Sequence, residues 1–440
     1  MKDLSISKMS WLIVLLGSTL LTTATAHANT FTVNTTADLP DDGFGATTCH
    51  TSAGTCSLRA AIMKANQING TNVIQIPAGT YLLTIPPSGF DEDDTGDLNL
   101  PSPTGADQGT TIRGAGAGST IIDGNQTDGV IGIGTGRRVF IEGLTIRNGQ
   151  RNSGGGIYNT GLLTITHSVI EGNLAIYGGG IDSSGELDVV GSTFRSNVAI
   201  GGSSGGGGMF LAGSTRVRDS SLYDNGADTG GGIFVAGTSL FLSLVNSTIS
   251  GNYATSYGGG IASMASTFLY NTSVIGNDAD HDHDEEGGLG GGIIANAGSR
   301  FVVFNSLIAG NTIRNTPIPD NCDGALEAYG LTLLDDPTGC TTTTSNANLG
   351  FVSLSTIGPL QDNGGPTWTH ALLAGSEAID GTPASQGCID YNSSTLTTDQ
   401  RGAARVVGTR CDVGAFEYGA LTDHIFKSGF ESGSASGIDP

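Results

Sequence analysis

The chain has 440 residues, of which 71 are glycine, and its 41 acidic residues outnumber 18 basic ones for a net charge of −23. With 37% hydrophobic residues it is too apolar for a disordered acidic polymer and should fold. A surface this negative repels nucleic acid and anionic lipid, and repels polyuronates unless cations intervene.

Lys2 and Lys8 precede an apolar run from Trp11 to Leu21, and Ala26-His27-Ala28 follows it, the order of a secretory signal peptide over residues 1–28. No later stretch approaches 18 consecutive apolar residues, so no membrane span is expected in the mature chain. In an exported protein the six cysteines favour disulfides, and fifteen connectivities exist in principle. The local set Cys49 with Cys56, Cys322 with Cys340 and Cys388 with Cys411 is preferred, because a long cysteine-free stretch separates the two groups. Ser57 as N-cap, then Leu58, Ala61, Ile62 and Ala65 at helical spacing, predict a short amphipathic helix closing the first turn of the fold, within an N-terminal cap over 29–84.

Between 154 and 311 a unit recurs. A Gly-Gly-Gly-type triplet precedes an apolar residue: Ile157, Ile181, Met209, Ile233, Ile261 and Ile293. A turn position then falls at His167, Gly191, Asp219, Asn246, Asn271 and Asn305. Six residues after each comes an asparagine: Asn173, Asn197, Asn225, Asn252, Asn277 and Asn311. A period of 24 to 34 residues with short alternating segments predicts a solenoid, one coil per repeat. Alternation points Ile165, Val189, Val217, Leu244, Leu269 and Val303 inward. The turn residues suit left-handed corners, and the repeated asparagines a side-chain ladder.

These triplets and the Ile170-x-x-Asn173 type of spacing resemble the repeats of polymorphic outer-membrane proteins and, more broadly, right-handed parallel β-helices of the pectin-lyase-like class. Cys56-Ser-Leu-Arg-Ala-Ala-Ile62 resembles the Cys-Ser-Leu-Arg-Glu-Ala region of bacterial exported β-helix proteins, with Ala60 in place of the Glu. Asn363-Gly-Gly-Pro366, Asp399-Gln-Arg-Gly402 and Cys411-Asp-Val-Gly-Ala-Phe-Glu417 resemble the choice-of-anchor C-terminal region of the same proteins. The resemblance implies an all-β solenoid over 85–315, an irregular cap or anchoring module over 316–418 and a flexible tail over 419–440, but no assigned reaction.

No catalytic set stands out. The Asn-Thr-Asp, Gly-His-Gly, Arg-Ile-Lys and Trp-Ile-Asp-His motifs of polysaccharide hydrolases and lyases are absent. Asp188 and Arg216 fall on adjacent coils and should pair; Arg218 and His167 read as structural. Tyr158, Phe210 and Phe234 each follow the repeat's apolar position and offer a sugar-stacking track, or stack on neighbouring coils. An outward patch of Phe268, Tyr270, Val302 and Phe304 invites cover from the C-terminal module. Asp278, Asp280, Asp282, Asp284, Glu285 and Glu286 crowd one corner insertion and offer oxygen ligands to calcium, the one cofactor suggested. The expected function is non-enzymatic, an adhesion or interaction role at the cell surface or in the medium, with a polysaccharide or other surface ligand as partner. The alternative is a polysaccharide lyase or hydrolase on the same scaffold.

Overall fold

The computed structural model describes residues 28–421 apart from 44, 46, 89–93, 106–108, 202–204, 238–239, 283–287, 297, 314–317 and 344–347. The chain winds as a parallel β-helix. In each repeat, strands such as Ile157–Asn159, Leu162–Thr166 and Val169–Glu171 lie on three successive faces, here called the third, first and second sheets. Each pairs in parallel with its counterpart one coil on: Ile157 with Ile181, Leu162 with Glu186 and Val169 with Thr193. Among the described residues the second sheet has 11 strands, and a shorter ladder of seven runs beside it.

The inward row Ile165, Val189, Val217, Leu244, Leu269 and Val303 is fully buried, as alternation requires. The turn positions adopt positive φ, from 47° at His167, Asn246 and Asn305 to 56° at Gly191, which Asn, Asp and Gly tolerate best. Beyond them a continuous ladder runs through the interior. Asn173, Asn197, Asn225, Asn252 and Asn277 each pass an amide N–H to the side-chain oxygen of the next, and Asn311 passes one to Asn321, at 2.8–3.0 Å. Each oxygen also accepts the backbone N–H one coil back, so buried groups are satisfied along the whole stack.

The N-terminal helix, Leu58–Gln67, is capped by Ser57, whose hydroxyl accepts from the N–H of Ala60. Its Leu58, Ala61, Ile62 and Ala65 join the core. Arg59 is buried against Asp38 at 2.7 Å and donates to the carbonyls of Gly96 and Asp97, tying helix to coil. Parallel pairing already begins at Asn29–Thr32 and continues beyond 315 through Cys322–Tyr329 to Leu349–Phe351. Parallel pairing thus runs past the expected limits of 85 and 315, because a ladder needs extended backbone at the right rise and not the triglycine motif. The disulfides join Cys49 to Cys56, Cys322 to Cys340 and Cys388 to Cys411.

From residue 352 the chain returns along the solenoid as a strap. Val352, Leu372, Ala378, Val413 and Phe416 form a second core with Ile275, Leu307, Ala309 and Leu333 on the outside of the second sheet. The turn asparagines anchor the strap, with Asn246 donating to Thr398 O, Asn271 to Ile389 O and Asn305 to Gly387 O. Trp368 stacks on Tyr223 at 5.4 Å. Within the strap, Asp399 and Arg401 form a buried pair at 2.6 Å, with the guanidinium over Phe416. Val302 and Phe304 are buried, and Tyr270 stacks on Phe304 at 5.4 Å. No helix among the described residues is long and apolar enough to cross a membrane.

Candidate functional site

The strap covers the second sheet, whereas the opposite corner, where the triglycines turn into the third sheet, carries exposed side chains. The first glycine of each triplet is left-handed, with φ of 62–68° at Gly154, Gly178, Gly206, Gly230, Gly258 and Gly290. The second and third press on neighbouring coils: a Cβ on Gly207 would come within 2.4 Å of Gly226 O and 2.5 Å of Gly231 O. The corner is therefore bare backbone flanked by two columns of side chains.

The column before the glycines reads Ser153, Tyr177, Gly205, Thr229, Tyr257 and Leu289, bridged coil to coil. The column after them reads Gly132, Tyr158, Asp182, Phe210, Phe234, Ala262 and Ile294, in register on the third sheet. The two meet diagonally across the bend, as where Tyr177 lies 5.3 Å from Phe210. Tyr177, Tyr257 and Leu289 remain 37%, 44% and 47% exposed.

Two cavities open beside the second column. Above Ala262 one of about 400 Å3 is walled by Phe234, Tyr257, Met264 and Ile294, with Asp228 and Asn296 supplying polar groups. Beside Tyr158 a second, of about 490 Å3, is lined by Asp128, Arg151 and Ser153. Ring faces beside a few polar groups suit carbohydrate, whose apolar faces stack while its hydroxyls hydrogen-bond.

Asp182 sits between Tyr158 and Phe210. It is 8% exposed, and burial pushes its carboxyl up to about 6, opposed by a Ser153 hydrogen bond and the charge of Arg151. Arg151 lies 5.3 Å over the Tyr158 ring and is fixed by Asp97 at 2.7 Å.

Of the three aromatics singled out from the sequence, Phe210 and Phe234 touch edge to face at 5.5 Å, while Asp182 separates Tyr158 from them. That pair therefore stacks from coil to coil and stays half-buried. Sequence reading missed Asp182, Arg151, Tyr177 and Tyr257. Their signal is fixed offset, since Tyr177 and Tyr257 immediately precede the triplets and Asp182 shares the column of Tyr158.

Asp188 and Arg216 pair at 3.3 Å across adjacent coils. His167 occupies its left-handed turn beside Gly191. In the acidic insertion, Asp278 accepts from Thr312 at 2.9 Å and contacts His281 at 3.1 Å, Asp280 is buried and Asp282 is exposed. Asp284, Glu285 and Glu286 lie outside the described residues, and among those described no three His, Cys, Asp or Glu side chains converge to hold a metal.

No protein-family model and no curated protein matches the chain. Its structure is similar to the crystal structure of pectate lyase Pel9A, with a TM-score of 0.51 and 13% sequence identity, over 89% of this chain and 97% of that one. At that identity the likeness shows the fold alone, a right-handed parallel β-helix.

Proposed function

We propose that this is an exported β-helix protein, secreted or held at the cell surface, that binds polysaccharide lengthwise along the glycine corner in an adhesion or interaction role. The observation that carries the reading is the pair of exposed columns flanking the triglycines, with one cavity walled by Phe234 and Tyr257 and a second, mostly polar one beside Tyr158. Coils repeat every ~4.8 Å, so the columns offer equivalent contacts at regular intervals to a polymer lying along the axis. Residues 1–28 direct export, consistent with three disulfides, and the choice-of-anchor-like C-terminal region serves retention. Weak calcium binding by the 277–292 insertion orders the loop beside the corner without being required for the fold.

A second reading, a polysaccharide lyase or hydrolase, is favoured by Asp182, a carboxyl near pKa 6 between two aromatic rings and therefore suited to proton transfer close to neutral pH. The similar structure is that of a pectate lyase, so polysaccharide chemistry on this scaffold is physically reasonable. A polysaccharide panel tests both, scored for binding, new reducing ends and absorbance of unsaturated products. Binding without turnover, lost in Phe234→Ala with Tyr257→Ala, supports adhesion. Turnover abolished by Asp182→Asn establishes the enzyme, and no binding to any polymer refutes both.

A further inference from the structure

A separate cavity of about 370 Å3 lies between the outer face of the first sheet and strap residues 390–392. Its floor is two outward rows in register across the coils. One row is Thr164, Asp188, Arg216 and Ser243, and the other includes Val190, Arg218 and Val245. Two arginines, Arg216 and Arg218, stand two positions apart on one strand face, beside two aspartates of the same lining, Asp188 and Asp390.

Both line the cavity, and they are held differently. Arg216 is held rigidly: its Nε donates to the Tyr391 hydroxyl at 2.9 Å, its Nη1 donates to Asp188 at 3.3 Å, and its guanidinium lies 5.1 Å over the Phe241 ring. Arg218 is 53% exposed along its side chain, and its contact with Asp219 is 3.7 Å, too long for a hydrogen bond. Asp390, the other acid in the wall, accepts the N–H groups of Asn392 and Ser394 on one carboxylate oxygen. Ser243 also lines the cavity; it is 1% exposed, and its buried hydroxyl has no hydrogen-bond partner. A buried hydroxyl without a partner is costly and rare in a native fold, and a ligand oxygen would relieve it.

We propose that this cavity binds one acidic sugar residue, a pyranose ring carrying a carboxylate or sulfate. The anion sits between the guanidinium groups of Arg216 and Arg218, whose planar forks match such oxyanions. A ring hydroxyl pairs with Ser243, and Val190 and Val245 support the ring face. The volume falls at the small end of ligand pockets and suits a monosaccharide unit rather than a polymer. The site lies on a different face from the glycine corner and does not depend on the reading given to it.

Titration calorimetry of the full chain with glucuronate, glucose 6-sulfate and glucose tests the proposal. At least one of the two anions is expected to bind, with glucose showing none, and the one that binds names the anionic group. Arg218→Gln is the informative variant because its side chain is exposed and removing it leaves the strap contacts of Arg216 intact. It should weaken binding about tenfold or more at unchanged melting temperature. Arg113→Gln, which removes an exposed charge elsewhere on the same sheet, should leave the affinity unchanged. No binding of either anion up to about 10 mM, glucose binding as well as the anions, or equal losses in the two variants would each overturn the assignment.

Discussion

Replacing Asn225 by alanine probes the interior ladder at its middle. Asn225 is fully buried. Its side-chain oxygen accepts the amide N–H of Asn197 at 3.0 Å and the Asn197 backbone N–H at 3.1 Å, and its nitrogen donates to Asn252 at 2.8 Å. Asn252 keeps the backbone N–H of residue 225 at 3.1 Å whatever the side chain. The substitution therefore orphans two buried donors, both on Asn197. Each costs about 1–3 kcal/mol, and a water entering the vacated volume recovers part, so a net loss of about 3 kcal/mol is expected. Asn173 heads the row and its oxygen accepts a single N–H, that of Gly149 at 2.9 Å, so Asn173→Ala should cost roughly half as much. Urea denaturation followed by circular dichroism measures both, and hydrogen exchange should show the Asn197 amide losing protection only in the first. A loss below about 0.5 kcal/mol for Asn225→Ala, or a larger loss for Asn173→Ala, would mean that the ladder is decoration on a stack held by its apolar rows.

Three further outcomes are expected. Burial pushes Asp182 up to about 6 and Asp219 and Glu417 up to about 7, so in this window the native state holds protons that the unfolded chain has released. Stability should rise as pH falls from 8 toward 5. It should drop again below about 4, where the unfolded chain takes up a proton that native Asp123, held low against its burial by Arg147 and Asn148, still resists. A melting temperature highest at pH 8 would contradict this, and Asp182→Asn should flatten the rise. A chain ending at Phe351 should bind hydrophobic dye strongly, since Ile275, Leu307 and Leu333 lose the cover of Leu372, Val413 and Phe416; unchanged dye fluorescence would show that the strap is not a structural cover. Calcium at millimolar concentration should give a small calorimetric heat that vanishes when Asp282, Asp284, Glu285 and Glu286 become Asn or Gln, and a heat that survives those changes places the ion elsewhere.

What the sequence reveals here is whatever repeats. The inward rows, the left-handed turns and the asparagine column recur at fixed offsets, so periodicity alone locates Ile165, Asn246 and Asn225 correctly. The strap has no period: its contacts, such as Asn271 to Ile389, join residues 118 apart, and nothing local in the chain encodes them. The solenoid ends escape for a related reason, since Cys322–Tyr329 extends two sheets at once without a triglycine to announce it. The candidate corner was half legible. Its aromatics stood out by type, whereas Asp182 hid in the same column because an aspartate after an apolar residue looks like any solvated one. Only its burial between rings gives it a different chemistry.

The bare glycine column separates two kinds of information that most proteins must write in the same residues. Coil geometry resides in positions with no side chain, so the flanking columns are free to change without altering how one coil seats on the next. Tyr177 aligns with a glycine one coil later and a threonine the coil after, and the ladder accepts all three. A lineage carrying this chain can thus redraw the side chains displayed along the corner through single substitutions, and can lengthen that surface by duplicating a coil. Variation between relatives should concentrate in those two columns while the triglycines and the asparagine row stay fixed.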